Sequence, residues 1–255
     1  MSRFRVVQFN IQFGQVWDDT EPDRAPVRIE STLAELQQHD ADIIVLQEVE
    51  QALPDGVQRQ PPPNYTRLTE ELKGYDSWFS YPKPDPRELP FGIGLAIFSR
   101  TPLRDRMRFD LPSPAIEFDF FGAKMTPTDR VLIGAKTTLH GQEVHLLNTH
   151  LLAFFMLGTS SDEHLSQRNA VAGLLKAARG PMILAGDFNV SKHRSLIAQL
   201  QQCGFDTVQQ DEITWRRRPY LLDHIFHNPP LRCVSHRVIP TPASDHHVLV
   251  ADFEF

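Results

Sequence analysis

Short apolar segments that each close on a carboxylate, an amide or an imidazole constrain this fold more than any other feature. Asn10 ends the segment Phe4 to Phe9, and Glu48 ends the run Asp42 to Gln47. Asn148 and His150 close Leu-Leu-Asn-Thr-His-Leu, while Asp187 and Asn189 follow Met182 to Ala185. Asp223 lies within Leu-Leu-Asp-His-Ile-Phe, and Asp245 and His246 precede the last apolar segment. A single Asp or Asn after a strand is ordinarily a turn former. Six strand ends bearing such groups point instead to one rim, where an α/β sheet leaves polar groups free for a ligand.

Between these segments the apolar period changes. Pro26 opens a helical stretch with Ile29, Leu33 and Leu36 on one face. Residues 162–178 predict a second helix, with Leu165, Ala172 and Leu175 on its stripe and Gly180-Pro181 as its stop. A third is expected over 191–202. Further strands are expected at Leu95 to Ser99, 221–227, 232–239 and 247–254, with a hairpin of Val131 to Leu139 and Gln142 to Asn148 turning at His140-Gly141. The proline-rich stretch from Pro54 to Pro90 reads as loops around one short helix near Glu70 to Lys73. With no repeat and no linker, residues 1–255 are expected to form a single domain of packed sheets with outer helices.

Composition excludes several classes. A chain of 255 residues, 41% hydrophobic and 23% charged, can bury a core and is not disordered. A net charge of −6 argues against gripping nucleic acid through overall charge. Cys203 and Cys233 form no disulfide framework and are expected as free thiols in a reducing compartment. The start reads as a strand rather than a secretory signal, and the run Leu151 to Leu157 is too short to span a bilayer. A cytoplasmic protein without a transmembrane segment is therefore expected, and no protein partner is indicated.

The donor types limit the chemistry. Carboxylates and amides without cysteine favour a hard cation, Mg²⁺ or Mn²⁺, over structural zinc. Glu48 leads the ligand candidates, because a carboxylate closing a wholly apolar strand has little other use there. Asp beside His can hold an imidazole in one tautomer and stabilise its charged form. A serine nucleophile is disfavoured: there is no Gly-x-Ser-x-Gly elbow, and Ser244 sits beside Asp-His. A phosphate-cradling P-loop is also missing from the sequence.

From Gln8-Phe9-Asn10 onward, five short motifs follow one another in order: Leu46-Gln47-Glu48-Val49, Asn148-Thr149-His150-Leu151, Gly186-Asp187-Phe188-Asn189, Leu222-Asp223-His224 and Ser244-Asp245-His246. Together they resemble the endonuclease/exonuclease/phosphatase superfamily, the DNase I-like metal-dependent phosphoesterases. The resemblance implies an α/β (α+β) fold, a four-layered α/β/β/α sandwich of two packed, mainly antiparallel β-sheets with outer helices. It also implies hydrolysis of a phosphodiester or phosphomonoester by in-line attack of an activated water.

Carried over residue by residue, the resemblance implies that Glu48 binds the metal, Asn10 assists and Asp245 completes the site through water. Asp187 and Asn189 would position or deprotonate the water and contact the phosphate. His246, oriented by Asp223, would act as general base or stabilise developing charge. His150 would donate to a non-bridging oxygen or assist the leaving group; Asn148, supporting that strand end, and Arg168 are the substrate-binding candidates. The substrate stays open between nucleic acid (DNA or RNA), a phospholipid such as sphingomyelin, and a small phosphorylated molecule. A non-catalytic module on the same fold would show lost catalytic residues, and none is lost.

Other residues have competing readings. Arg168 is either a substrate contact or a tie between its helix and the loops, and Asp129 either a partner for His150 or a turn residue. His224 and His247 read as packing or surface histidines, and Arg216-Arg217-Arg218 as a solvated turn or a contact for a polyanion. Trp17 is a candidate for stacking at the mouth, and Leu151 to Leu157 reads as cover for the sheet edge before it reads as a lipid-facing patch. Leu95 stands where many phosphatase and lipase members of the superfamily have Asn, and His246, opening the last strand, is expected at the surface.

Overall fold

Alternation of side chains along the strands sorts this chain into four layers. The computed structural model describes residues 2–120, 122–177 and 179–255. Its main elements begin with β1 (Arg3–Asn10), α1 (Ile29–Gln37), β2 (Ile43–Gln47), α2 (Pro63–Glu71), β3 (Asp76–Ser80), β4 (Leu95–Ser99) and β5 (Arg104–Leu111). They continue with β6 (Arg130–Leu139), β7 (Gln142–His150), α3 (Ser166–Ala177), β8 (Met182–Asp187) and α4 (His193–Gln201). The last strands are β9 (Asp206–Thr207), β10 (Asp223–His227), β11 (Arg232–Ile239) and β12 (Val248–Glu254).

One six-stranded sheet runs β11-β12-β1-β2-β4-β3 and the other β9-β10-β8-β7-β6-β5. Each is antiparallel except for one central pair, β1 with β2 and β7 with β8. The hairpin β6–β7 turns as expected: His140 and Gly141 both take positive φ, the conformation a two-residue turn of this hand requires.

Apolar clusters fill the spaces between the layers. Val6, Ile43, Val45 and Ile97 of the first sheet meet Ile133, Leu146, Ile183 and Ile225 of the second. Leu33 and Leu36 of α1 and Leu68 of α2 cover the outer face of the first sheet at Val7, Phe9, Ile44 and Leu46. Val171 and Leu175 of α3, with Leu196 and Leu200 of α4, cover Leu132, Leu184 and Phe226 of the second. Each fully buried Leu or Ile contributes about 2 kcal/mol. The expected order of helix, sheet, sheet and helix is the one observed.

The differences lie where the sequence signal is weak. The helix expected near Glu70 to Lys73 starts earlier, at Pro63, where a missing N–H costs nothing and the Glu50 carboxylate accepts from Tyr65 N–H. The segment 54–90 also holds a strand, β3, and β5 was not anticipated. Both are edge strands, so they need only one sheet neighbour and carry mixed, polar sequences. Leu165 is exposed and precedes α3 rather than lying on its buried stripe, which Val171 completes. Among the described residues no helix is long and apolar enough to cross a membrane.

Candidate active site

The face between the two sheets changes from apolar to polar along its strands. On β1 the inward series is Phe4, Val6, Gln8 and Asn10; on β2 it is Ile43, Val45 and Gln47. Opposite them run Val144, Leu146, Asn148 and His150 on β7, and Ile183, Ala185 and Asp187 on β8. The two parallel pairs thus bring their carboxyl ends to one rim.

At this rim Asn10 Nδ2 donates to Glu48 Oε1 and to Asp187 Oδ2, each at 3.0 Å. His150 Nε2 lies 3.6 Å from Asp187 Oδ2 and 3.8 Å from Glu48 Oε1. It also lies 2.9 Å from Asn189 Nδ2, which donates to Leu151 O as well. Asn189 in turn donates its backbone N–H to Asp187 Oδ1 at 2.9 Å. On the other side His246 Nδ1 stands 2.7 Å from Asp223 Oδ2, and His246 Nε2 stands 3.6 Å from Asp187 Oδ2.

Backbone geometry fixes this arrangement. Glu48 takes φ +49° and Asn189 φ +51°, left-handed conformations that aim their side chains out of the strand direction. Glu48 lies against Gly92, where a Cβ would fall 2.0 Å from its Oε2. Gly186 lets β8 approach β7, since a Cβ there would sit 2.0 Å from Thr149 O. The side chains of Glu48 and His150 remain 19% and 14% exposed, while Asp187, Asp223 and His246 are shut in, so the mouth opens on the Glu48–His150 side.

Electrostatics divides the site. Burial, reinforced by the charge of Asp245, pushes the Glu48 carboxyl up to about 7. Asp187 is raised as well, by burial and then by Asp223. Burial opposes charge on His246, yet Asp223 and Asp187 outweigh it and push that imidazole up to about 10. His150 falls well below its ordinary value through burial and then the charges of Arg130 and His246. A neutral His150 with Nε2 unprotonated is also what the Asn189 amide donor requires.

Among the described residues two groups of donors could hold a cation: Glu48, His150 and Asp187, and Asp187, Asp223 and His246, each within 4.8 Å. The second is committed to the close His246–Asp223 pair. The first fits a divalent cation, because two carboxylates with raised proton affinity face each other across a single amide.

Other candidates lie elsewhere. Asp245 Oδ2 accepts from Arg217 Nε (2.6 Å) and Trp215 Nε1 (3.1 Å), and is not in the donor group around Glu48. Asn148 is fully buried, donating to Leu46 O and Ala96 O of the facing sheet, and acts as a tie between layers. Arg168 is bound to Asp162, Ser161, Ser195 and Gln199, joining α3 to α4 away from the rim. His246, expected at the surface, is 4% exposed, because its pairing with Asp223 draws it between the sheets.

Asp129 accepts from Ser113 N–H, a turn contact, and His224 is buried among Phe188 and Phe226. Trp17 is covered by Arg216 and Arg217 rather than open for stacking. Leu151, Leu152 and Phe154 are buried, and Leu95 sits in the inter-sheet core. Met156 is 59% exposed, and Phe155 packs on Trp215 and Tyr220 beside His246.

Sequence reasoning missed Gln8 and Gln47. Gln8 Nε2 donates to Asp223 Oδ1 (2.8 Å) and to Gln47 Oε1, and Gln47 Nε2 donates to Asn148 Oδ1. The signal was the alternation itself, which puts Gln8 on the same face as Val6 and Asn10. Ser244, also unassigned, donates to Asn10 O and accepts from His246 N–H.

A profile of the Endonuclease/Exonuclease/phosphatase family matches residues 7–246. A "UPF0294 protein" of Vibrio campbellii is 31% identical over 119 residues, 45% of this chain and 41% of that protein, so this chain matches about two-fifths of that relative's length. A solved endonuclease/exonuclease/phosphatase from Beutenbergia cavernae superposes with a TM-score of 0.76 at 21% identity, over 100% of this chain and 72% of that one. A mannosyl-6-phosphatase from Bacteroides thetaiotaomicron gives a TM-score of 0.70 at 18% identity, over 99% and 100% of the two chains.

Proposed function

The chain belongs to the endonuclease/exonuclease/phosphatase family, and on that premise we propose that it is a divalent-metal-dependent phosphoesterase, with residues 1–255 as one catalytic unit, that cleaves its substrate by in-line attack of water. The observation that carries this reading is the convergence of Glu48, Asp187 and the His246–Asp223 pair on one rim. Glu48 and Asp187, bridged by Asn10, are the residues that would hold Mg²⁺ or Mn²⁺, and the ion would supply Lewis acidity at a phosphoryl oxygen.

The side chains have distinct parts. Asp223 occupies Nδ1 of His246 and keeps the ring charged, so Nε2 presents a proton to charge developing on the phosphorus oxygens. Asp187 and Asn189 orient the attacking water, and Asp187 accepts its proton. His150, neutral and accepting from Asn189 through Nε2, carries its proton on the other ring nitrogen. Asp245 acts by charge on Glu48 instead of by ligation. The unpaired Cys203 and Cys233 accord with a cytoplasmic setting.

Exposed Met156, beside Phe155, Trp215 and Tyr220, favours a second reading of the substrate: a phosphodiester with an apolar group, such as a sphingomyelin-like lipid. The test is product release from DNA, RNA, sphingomyelin, a sugar phosphate and an aryl phosphodiester, with Mg²⁺ or with chelator. Metal-dependent turnover that disappears in folded His246→Gln is expected, and the best substrate selects the subclass. Turnover that survives chelation, or persists in the variant, overturns the reading.

A further inference from the structure

We infer that Arg130 grips the phosphoryl oxygens of the substrate, with Glu88 and Thr128 positioning it. The inference rests on the phosphoesterase reading and concerns the same site.

Arg130 opens β6, and two residues on Leu132 pairs with Thr149 of β7. The start of β6 therefore runs beside the end of β7, where His150 stands at the mouth. Its guanidinium is mostly buried, with Nη1 3.4 Å from Oε1 of the buried Glu88. Glu88 is held in turn by Thr128, whose Oγ1 donates to Glu88 Oε2 at 2.7 Å. This is a long contact through one nitrogen, not a two-pronged pair, and a guanidinium has five N–H groups. Arg130 Nε is buried and has no hydrogen-bond partner among the described residues.

A buried donor without a partner costs free energy, which an anion arriving at the mouth would recover. The charge of Arg130 already acts on both Glu48 and His150, so the group is electrostatically part of the rim. The cations on the His246 side are engaged elsewhere. Arg217 binds Asp245 and Asp23, and His246 is paired with Asp223; Arg216 Nε is likewise without a hydrogen-bond partner among the described residues, but that side chain donates to Thr241 O and lies over the Trp17 ring. Arg130 is left with donors to offer, and a planar guanidinium matches two oxygens of a phosphoryl group.

Inorganic phosphate is the probe. Its binding is measured by calorimetry with Mg²⁺, and as competitive inhibition of whichever phosphoester the wild type hydrolyses. Wild type is compared with Arg130→Gln, Arg130→Lys and Glu88→Gln, each checked for folding by circular dichroism and melting temperature. Arg130→Gln is expected to weaken phosphate binding by about tenfold or more and to raise KM, with Arg130→Lys recovering part and Glu88→Gln intermediate. Should Arg130→Gln fail to fold, the other two variants carry the comparison.

Wild-type phosphate affinity and KM in all folded variants would overturn the inference, leaving the pair as an anchor for residues 85–90. A wild type that binds no phosphate would overturn it too, even with turnover intact. Phosphate binding that depends on Arg130, without turnover of any phosphoester, would uphold it while removing the phosphoesterase reading.

Discussion

Two histidines reach the same oxygen from opposite sheets. Nε2 of His150, from β7, and Nε2 of His246, just ahead of β12, each stand 3.6 Å from Asp187 Oδ2. Burial alone would leave both neutral. They diverge because of what else each ring meets: a carboxylate at 2.7 Å for His246, an amide donor and the charge of Arg130 for His150. One carboxylate therefore lies between a charged imidazole and a neutral one. Such a pair suits a reaction that needs a resident positive charge on one side and a neutral imidazole on the other.

The strongest way to break this contrast is Asp223→Asn, which removes the charge that keeps His246 protonated. Turnover in the folded variant should fall on the order of a thousandfold, measured at saturating Mg²⁺. A fall of less than tenfold would take the charge of His246 out of the mechanism. Glu48→Gln should come next: calorimetry should show Mg²⁺ affinity lower by at least about tenfold, and unchanged affinity would remove Glu48 from the ligands.

Protonation states sharpen the contrast further. In the metal-free protein, nitrogen-15 spectra should show His246 protonated on both nitrogens at neutral pH and His150 on one. The signs for stability are opposite. His246 is raised from 6.5 to about 10, so its contribution is full below pH 6.5 and is lost as pH climbs toward 10. His150 is depressed, so its contribution is present above pH 6.5 and is lost as pH falls below that value. Urea unfolding across this range should show both arms, and Asp223→Asn should flatten the alkaline one. An unchanged alkaline arm would disprove the assignment of charge to the His246–Asp223 pair.

The smallest effect on chemistry is expected from Arg168→Ala. The variant should lose about 1–2 kcal/mol of stability from broken contacts between α3 and α4, while the folded fraction keeps its kcat within about twofold. A large fall in kcat with unchanged melting temperature would return Arg168 to the site.

How much of this was legible in the sequence follows from the range of each signal. Glu48, Asp187 and His246 were readable because a polar group ending an apolar run is a local anomaly. What lies opposite them was not. Nothing near Asn148 in the chain says that its amide reaches Leu46 and Ala96, and nothing near Asp245 says that Arg217 and Trp215 claim its carboxylate. Arg130 is an ordinary strand-opening residue until its neighbour Glu88, 42 residues away, comes into view. The layers were legible from periodicity, whereas the edge strands β3 and β5, half-solvated and polar, carried no apolar run to detect.

The rim is also stitched together from the extremes of the chain. Gln8 meets Asp223 across 215 positions, Ser244 meets Asn10 across 234, and β1 lies beside β12. Such contacts require the long intervening loop to close, at a cost in chain entropy. Until then the carboxylates and imidazoles are scattered along an open chain and cannot act on anything. The candidate site thus exists only in the finished fold.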